Sequence, residues 1–141
     1  AQDIPVFTEI TEAALFDKVR QVFEYSLHNE QISRFRRMMT IEQFRSPELA
    51  ELYSRRYVDR VTAYHAGIFR ALIAAGEICA EDPDVLAMMY VAPVLTLIGL
   101  CDRQPEREAE CLERLHMHVS LFFRMVHRDS APVSDCNEHG G

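Results

Sequence analysis

Residues 85–101 read VLAMMYVAPVLTLIGLC, a run of seventeen residues without one charged side chain. Asp82 and Pro83 stand just before this run and supply a helix start, because aspartate caps a helix and proline suits its first position. A helix that is apolar on all sides has to be covered on all sides. The run therefore predicts a helix that is buried on one side by its own domain and on the other by a second subunit.

A membrane span is the competing interpretation of the same run. A spanning helix needs roughly 20 apolar residues, so seventeen lie at the short limit. Pro93, Thr96 and Gly99 weaken a span further, and the sequence around them is not typical of a membrane protein. No secretory signal is recognisable at the start either. We therefore expect no membrane partner and a cytoplasmic location.

The rest of the sequence is typical of one all-α domain. Its 141 residues suit a single core, and hydrophobic residues make up 48% of them. Only 5 glycines and 6 prolines are present, which favours long helices over many short strands. We expect a bundle of about five helices over residues 11–127, after a leading segment over residues 1–10 and before a disordered tail over residues 128–141.

Local signals place the helix ends. Thr11 is a good cap for the first helix, and Asn29 is a plausible stop for it. Ser46, followed by proline and glutamate, begins a long helix that Gly76 ends. The last helix is expected over residues 106–127. Between these signals apolar residues recur at i, i+3 and i+4, so each helix has one face for a core.

The net charge of −7 argues against a nucleic-acid partner for this chain alone, because phosphate contacts require a basic face. Two clusters of basic residues are exceptions to the overall negative charge: Arg34, Arg36 and Arg37, and Arg55, Arg56 and Arg60. We interpret both clusters as solvated helix faces that pair with nearby glutamates, and not as phosphate sites.

The cysteines and histidines do not form a pattern typical of a metal site. The four cysteines lack a CxxC pair, and we expect free thiols: Cys79, Cys101, Cys111 and Cys136. His116 and His118 are two residues apart, so a regular helix directs them to roughly opposite faces. Glu113 and His116 have the spacing of a di-iron bundle, but such a bundle needs two of these motifs. We expect no metal and no cofactor.

Motifs of catalysis are also missing from the sequence. It contains neither a GxSxG nucleophile elbow nor a glycine-rich phosphate loop. We therefore expect no catalytic residue and no enzyme. A helical-bundle enzyme stays an alternative, which visible absorbance or a bound metal in the purified protein would indicate.

Tyrosine and methionine side chains suggest a ligand pocket. A methionine adapts its shape, and a buried phenol offers a hydrogen bond that can orient a ligand. The residues predicted to bind a small, largely apolar molecule are aromatic residues and methionines: Phe23, Phe35, Met39, Tyr53, Tyr57, Tyr64, Met88 and Met89. The same residues would also fill a solid core, as in a ligand-free dimerisation or scaffold protein.

A homodimer is expected because monomers rarely expose a large apolar patch. Packing the uncharged helix and the last helix against a symmetry mate gives a four-helix interface of the isologous type. We expect eight apolar residues to lie in or beside this interface: Val91, Val94, Leu95, Ile98, Leu112, Leu115, Val119 and Phe122.

Three stretches resemble the C-terminal effector domain of TetR/AcrR-family transcriptional regulators. RRMMTIEQFRSPELAELYSRRYVDR, at residues 36–60, resembles the middle of that domain. DPDVLAMMYVAPVLTLIGLCDR, at residues 82–103, and PEREAECLERLHMHVSLFF, at residues 105–123, resemble the two helices of the family's dimer interface. The resemblance extends over about residues 11–127.

This resemblance implies a ligand-sensing and dimerisation domain, whose effector controls DNA binding by a repressor. Family members carry an N-terminal helix-turn-helix before such a domain. Nothing in this sequence is typical of a compact three-helix unit with a basic recognition helix. We therefore expect DNA binding only in a full-length protein that has such a unit.

Overall fold

A computed structural model describes residues 11–127 of the chain. The leading segment and the tail, together with Cys136, lie outside the described residues. Six α-helices follow one another: α1 Glu12–His28, α2 Glu30–Glu42, α3 Pro47–Ser54, α4 Arg60–Ala74, α5 Pro83–Arg103 and α6 Glu108–Val126. The predicted all-α fold is confirmed.

Most of the helices begin and end where local signals place them. The side chains of Thr11 and Ser46 each accept a hydrogen bond from the backbone N–H three residues later. The Asp82 carboxylate accepts hydrogen bonds from the first N–H groups of α5. Asn29 ends α1 and its side chain caps α2. Gly76 follows α4 with a φ of 76°, a conformation that favours glycine.

The long helix predicted after Ser46 is continuous but not regular. Between α3 and α4, residues Arg55–Asp59 form a π-helical turn, in which the N–H of Arg60 bonds to the carbonyl of Arg55. One extra residue in the turn rotates every later side chain relative to the earlier ones. The periodic pattern did not indicate this turn, because it contains neither proline nor glycine.

Helix α5 lies at the centre of the fold, in contact with α1, α4 and α6. Eight of its residues are buried: Leu86, Ala87, Tyr90, Val91, Val94, Leu97, Ile98 and Cys101. Its antiparallel neighbour α6 donates a hydrogen bond from His118 Nε2 to the carbonyl oxygen of Tyr90, at 2.9 Å. By length and composition α5 could also cross a membrane, a property that core helices of soluble proteins share. The prediction that its own domain covers one side of this helix is confirmed.

The interpretation of Arg36 as a solvated residue was wrong. Its guanidinium is buried and donates to both carboxylate oxygens of Asp102, at 2.8 and 2.7 Å. It also donates to the carbonyl and the hydroxyl oxygens of Ser26, at 2.8 and 2.7 Å. One side chain of α2 therefore joins α1 to the end of α5. Arg34 and Arg55, in contrast, form exposed pairs with glutamates one turn earlier, as predicted.

The expectation of free thiols holds for two of the described cysteines and fails for the third. Cys101 and Cys111 are free and buried where α5 meets α6. Burial raises the pKa of the Cys101 thiol, so this group stays protonated and unreactive. Cys79 takes part in a disulfide, which corrects the prediction at that position.

Candidate ligand site

A cavity of about 1320 Å³ lies between α1, α2, α4 and α5, with the end of α6 closing one side. Aliphatic and aromatic side chains form most of its wall, among them Leu15, Val19, Ile32, Val61, Ile68, Leu72, Val91, Leu95 and Phe122. Small-molecule sites usually have volumes of roughly 300–1,000 Å³. The cavity is therefore large enough for a small-molecule ligand.

Three of the residues predicted to bind a ligand line this cavity: Tyr53, Tyr57 and Tyr64. The rings of Tyr53 and Tyr57 pack against each other, with centroids 4.9 Å apart. The π-helical turn falls between Tyr53 and Tyr64, and all three side chains nevertheless reach the same wall. The structure thus brings together the tyrosines of the predicted set.

The other five predicted residues lie elsewhere. Phe23 and Met39 are enclosed in the core of the subunit, outside the cavity wall. Phe35 lies beneath the guanidinium of Arg56, whose carbon is 4.7 Å from the ring centroid. Both methionines of α5 in the set, Met88 and Met89, are exposed.

The α5 residues predicted for a dimer interface contribute to the cavity wall: Val91, Val94, Leu95 and Ile98. Of the α6 residues in that set, Leu115 and Val119 are fully enclosed in the core, and Phe122 is buried beside the cavity. Leu112 packs partly buried against the same core. Six of these eight side chains are thus buried within one subunit, and Leu95 and Leu112 are partly buried, so their place in an interface between subunits stays a prediction.

Both helices also expose large apolar side chains, and we name this set the α5–α6 face: Val85, Met88 and Met89 of α5, and Met117, Leu121 and Met125 of α6. The three α6 residues recur every fourth position and therefore share one side of the helix. The hydrogen bond from His118 to the carbonyl oxygen of Tyr90 holds the two helices side by side, and Met88 also lies beside Thr62 and Ala63 of α4. The exact four-residue spacing at Met117, Leu121 and Met125 was the sequence signal for this row.

Two neutral polar groups lie among the apolar walls. His65 Nδ1 is 2.8 Å from the carbonyl oxygen of Val61, so Nδ1 donates and the neutral ring keeps Nε2 as an acceptor. Burial lowers the pKa of His65 and raises the pKa of Tyr90, whose ring centroid is 5.3 Å from that of the imidazole. The cavity therefore offers a neutral imidazole acceptor and a protonated phenol to a ligand.

The lowered pKa of His65 makes the stability of the fold depend on pH. An unfolded histidine titrates near 6.5 and folded His65 titrates lower, so between these values the unfolded chain binds more protons. The stabilisation is complete above pH 6.5 and declines as the pH falls from there through the folded pKa. Between about pH 7.5 and about pH 5.5, we expect wild type to lose more unfolding free energy in urea than His65→Gln does. Equal losses in the two proteins would contradict this prediction.

Metal ligation was not expected, and the histidines of α6 face different neighbours. His116 packs on the ring of Phe16 in α1, with centroids 4.4 Å apart, whereas His118 bonds to the backbone of α5. Within residues 11–127, no three side chains of the ligand types histidine, cysteine, aspartate and glutamate come together. The two histidines therefore point away from each other, as their spacing predicts.

A family profile, described as the C-terminal domain of AefR-like transcriptional repressors and of the TetR type, matches residues 13–124. The match extends from α1 nearly to the end of α6 and includes every helix that lines the cavity. No curated protein and no solved structure matches the chain. The resemblance noted in the sequence is confirmed. The chain belongs to the family of C-terminal domains of AefR-like, TetR-type transcriptional repressors.

Proposed function

We propose that this chain is the effector-binding and dimerisation domain of a cytoplasmic transcriptional repressor, and that its effector is a small, largely apolar molecule. The cavity of about 1320 Å³ is the observation that supports this proposal. Protein cores are close-packed and contain few voids larger than a water molecule. A ligand-free scaffold would fill this space with side chains.

The second subunit in this proposal covers the α5–α6 face. Met117 exposes 70% of its surface and Met88 exposes 57%, and four further large apolar residues accompany them. A face of this kind marks an interaction site more often than free surface. Two copies related by a twofold axis would bury it in a four-helix contact of the isologous type.

Helix α5 connects the two sites in this proposal. Val91 and Leu95 line the cavity, while Met88 and Met89, nearer the start of the same helix, are exposed and belong to the α5–α6 face. A ligand that fits one position of α5 better than another would favour one dimer arrangement. In the full-length regulator this shift would reposition the DNA-reading parts, while this chain itself binds neither nucleic acid nor membrane.

A thermal-shift panel of uncharged hydrophobic compounds tests the proposal. A ligand at about 100 times its Kd stabilises the folded state by about 2.7 kcal/mol, which should raise Tm by several degrees. The matched variant is Val61→Trp/Leu95→Trp, which fills the cavity from α4 and from α5, and its Tm should not respond. A panel without effect on wild type, or equal shifts in the two proteins, would remove the sensing function.

A further inference from the structure

The arginines of this chain divide into two groups. Within residues 11–127, most of them pair with a carboxylate, including Arg20, Arg34, Arg45, Arg70 and Arg114. The remaining arginines have no carboxylate within ion-pair distance among the described residues: Arg37, Arg56, Arg60, Arg103 and Arg124. Three of these five line the cavity, namely Arg37, Arg60 and Arg103.

The wall of the cavity is thus positive in a chain of net charge −7. Asp102 is the one carboxylate in the wall that the structure describes, and the bidentate contact with Arg36 neutralises it. The charges of Arg37, Arg60 and Arg103 therefore have no counter-ion from the described chain. Like charges in one cavity wall repel each other, so an anion placed between them is favoured.

The positive groups share one end of the cavity. Arg103 ends α5 directly after Asp102, and Arg37 directly follows Arg36, which holds Asp102. Tyr57 belongs to the same end, because the guanidinium carbon of Arg56 lies 5.9 Å from its ring centroid and 4.7 Å from that of Phe35, the neighbour of Arg36. Arg60 follows the π-helical turn that carries Tyr57.

The opposite end of the cavity is apolar, formed by Leu72, Ile78, Phe122, Phe123 and Val126. Arg60 and Leu72 are twelve residues apart on α4, so the two ends are separated by about 18 Å at 1.5 Å per residue. The cavity is thus elongated, with charge at one end and hydrocarbon at the other.

We propose that the ligand of this cavity is an anionic amphiphile, a long hydrocarbon body that ends in a carboxylate. The carboxylate lies among Arg37, Arg60 and Arg103, and the body extends along α4 and α5 towards Leu72. Guanidinium groups suit this head group because their planar N–H donors match the two oxygens of a carboxylate. The inference rests on the proposed function, since it specifies the ligand class of the same cavity.

Three compounds with the same chain and different head groups test this inference: dodecanoate, 1-dodecanol and dodecylamine. Their affinities are measured below micelle concentrations by displacement of the neutral fluorophore N-phenyl-1-naphthylamine. Three exposed charge contacts give about a tenfold preference, so dodecanoate should bind about ten times more tightly than 1-dodecanol, and dodecylamine most weakly. The preference of wild type should shrink as salt is raised, because the arginines are exposed to solvent.

Two triple variants that each lose three positive charges show which arginines cause the preference for dodecanoate over 1-dodecanol. Arg37→Gln/Arg60→Gln/Arg103→Gln should lose the preference for dodecanoate and keep its affinity for 1-dodecanol. Arg20→Gln/Arg34→Gln/Arg70→Gln removes three arginines from exposed ion pairs outside the cavity and should keep the preference.

The outcomes separate the two proposals. Equal binding of dodecanoate and 1-dodecanol to wild type, or an equal loss of preference in both triple variants, overturns the anionic ligand and leaves the apolar cavity standing. Failure of wild type to bind any of the three compounds overturns both. The head-group comparison and its salt dependence need only wild type. They therefore test the anionic ligand even where a triple variant does not fold.

Discussion

Replacing Arg36 with methionine should lower the free energy of unfolding by about 3–5 kcal/mol, the cost of breaking a buried ion pair by removing one partner. The substitution leaves Asp102, whose side chain is only 15% exposed, without its two guanidinium hydrogen bonds. It also removes the donor to the carbonyl and hydroxyl oxygens of Ser26. Urea unfolding followed by circular dichroism measures the loss.

Arg34→Met is the matched control, because it removes the same group from the same helix. Arg34 pairs with Glu30 in solvent, and an exposed pair contributes only about 0.2–1 kcal/mol. A second variant, Arg36→Met/Asp102→Leu, removes both charges and should recover part of the stability. If Arg36→Met lowered the free energy of unfolding as little as Arg34→Met does, the Arg36–Asp102 pair would not hold α2 against α5.

Placing two charges on the α5–α6 face should convert the proposed dimer into monomers. Met117→Asp/Leu121→Asp puts two carboxylates where each subunit would meet its mate, and the symmetry doubles their number. Burying unpaired charges costs several kcal/mol, so the dimer Kd should rise by about a hundredfold or more. Sedimentation velocity over a range of protein concentrations measures the change.

The control for this experiment is Ala13→Asp/Gln31→Asp, which adds the same charge at exposed positions of α1 and α2. It should sediment like wild type. Aspartate at Val119 would not test the interface, because that side chain is enclosed in the core and the subunit would unfold. A wild-type chain that is monomeric, or a dimer that survives both aspartates on α6, would refute the placement of the interface.

The sequence alone indicated the helices well, because their ends depend on neighbouring residues. Thr11, Ser46 and Asp82 cap the helices that follow them, and each cap involves residues no more than three positions away. The burial of α5 also followed from composition, since an uncharged helix has to be covered. Both predictions rest on local chemistry that a linear pattern contains.

The parts that were not predicted depend on contacts between distant residues. Arg36 and Asp102 are 66 positions apart, and the run RFRR around Arg36 is the same for a solvated and a buried arginine. The sequence also did not indicate that Val91 and Leu95, which were assigned to a dimer interface, line the cavity. Aliphatic residues look alike in a core, in a cavity wall and in an interface, because a pattern of polarity does not contain packing density.

Titration of the chain with N-phenyl-1-naphthylamine tests most directly whether the cavity is a ligand site. This probe is uncharged, so its binding does not depend on the arginines of the cavity wall. The account predicts saturable binding of one probe per subunit to wild type and to the surface control Gln31→Trp, and a loss of that binding in Val61→Trp/Leu95→Trp. A wild-type chain without saturable binding, or undiminished binding after the cavity is filled, would contradict the account.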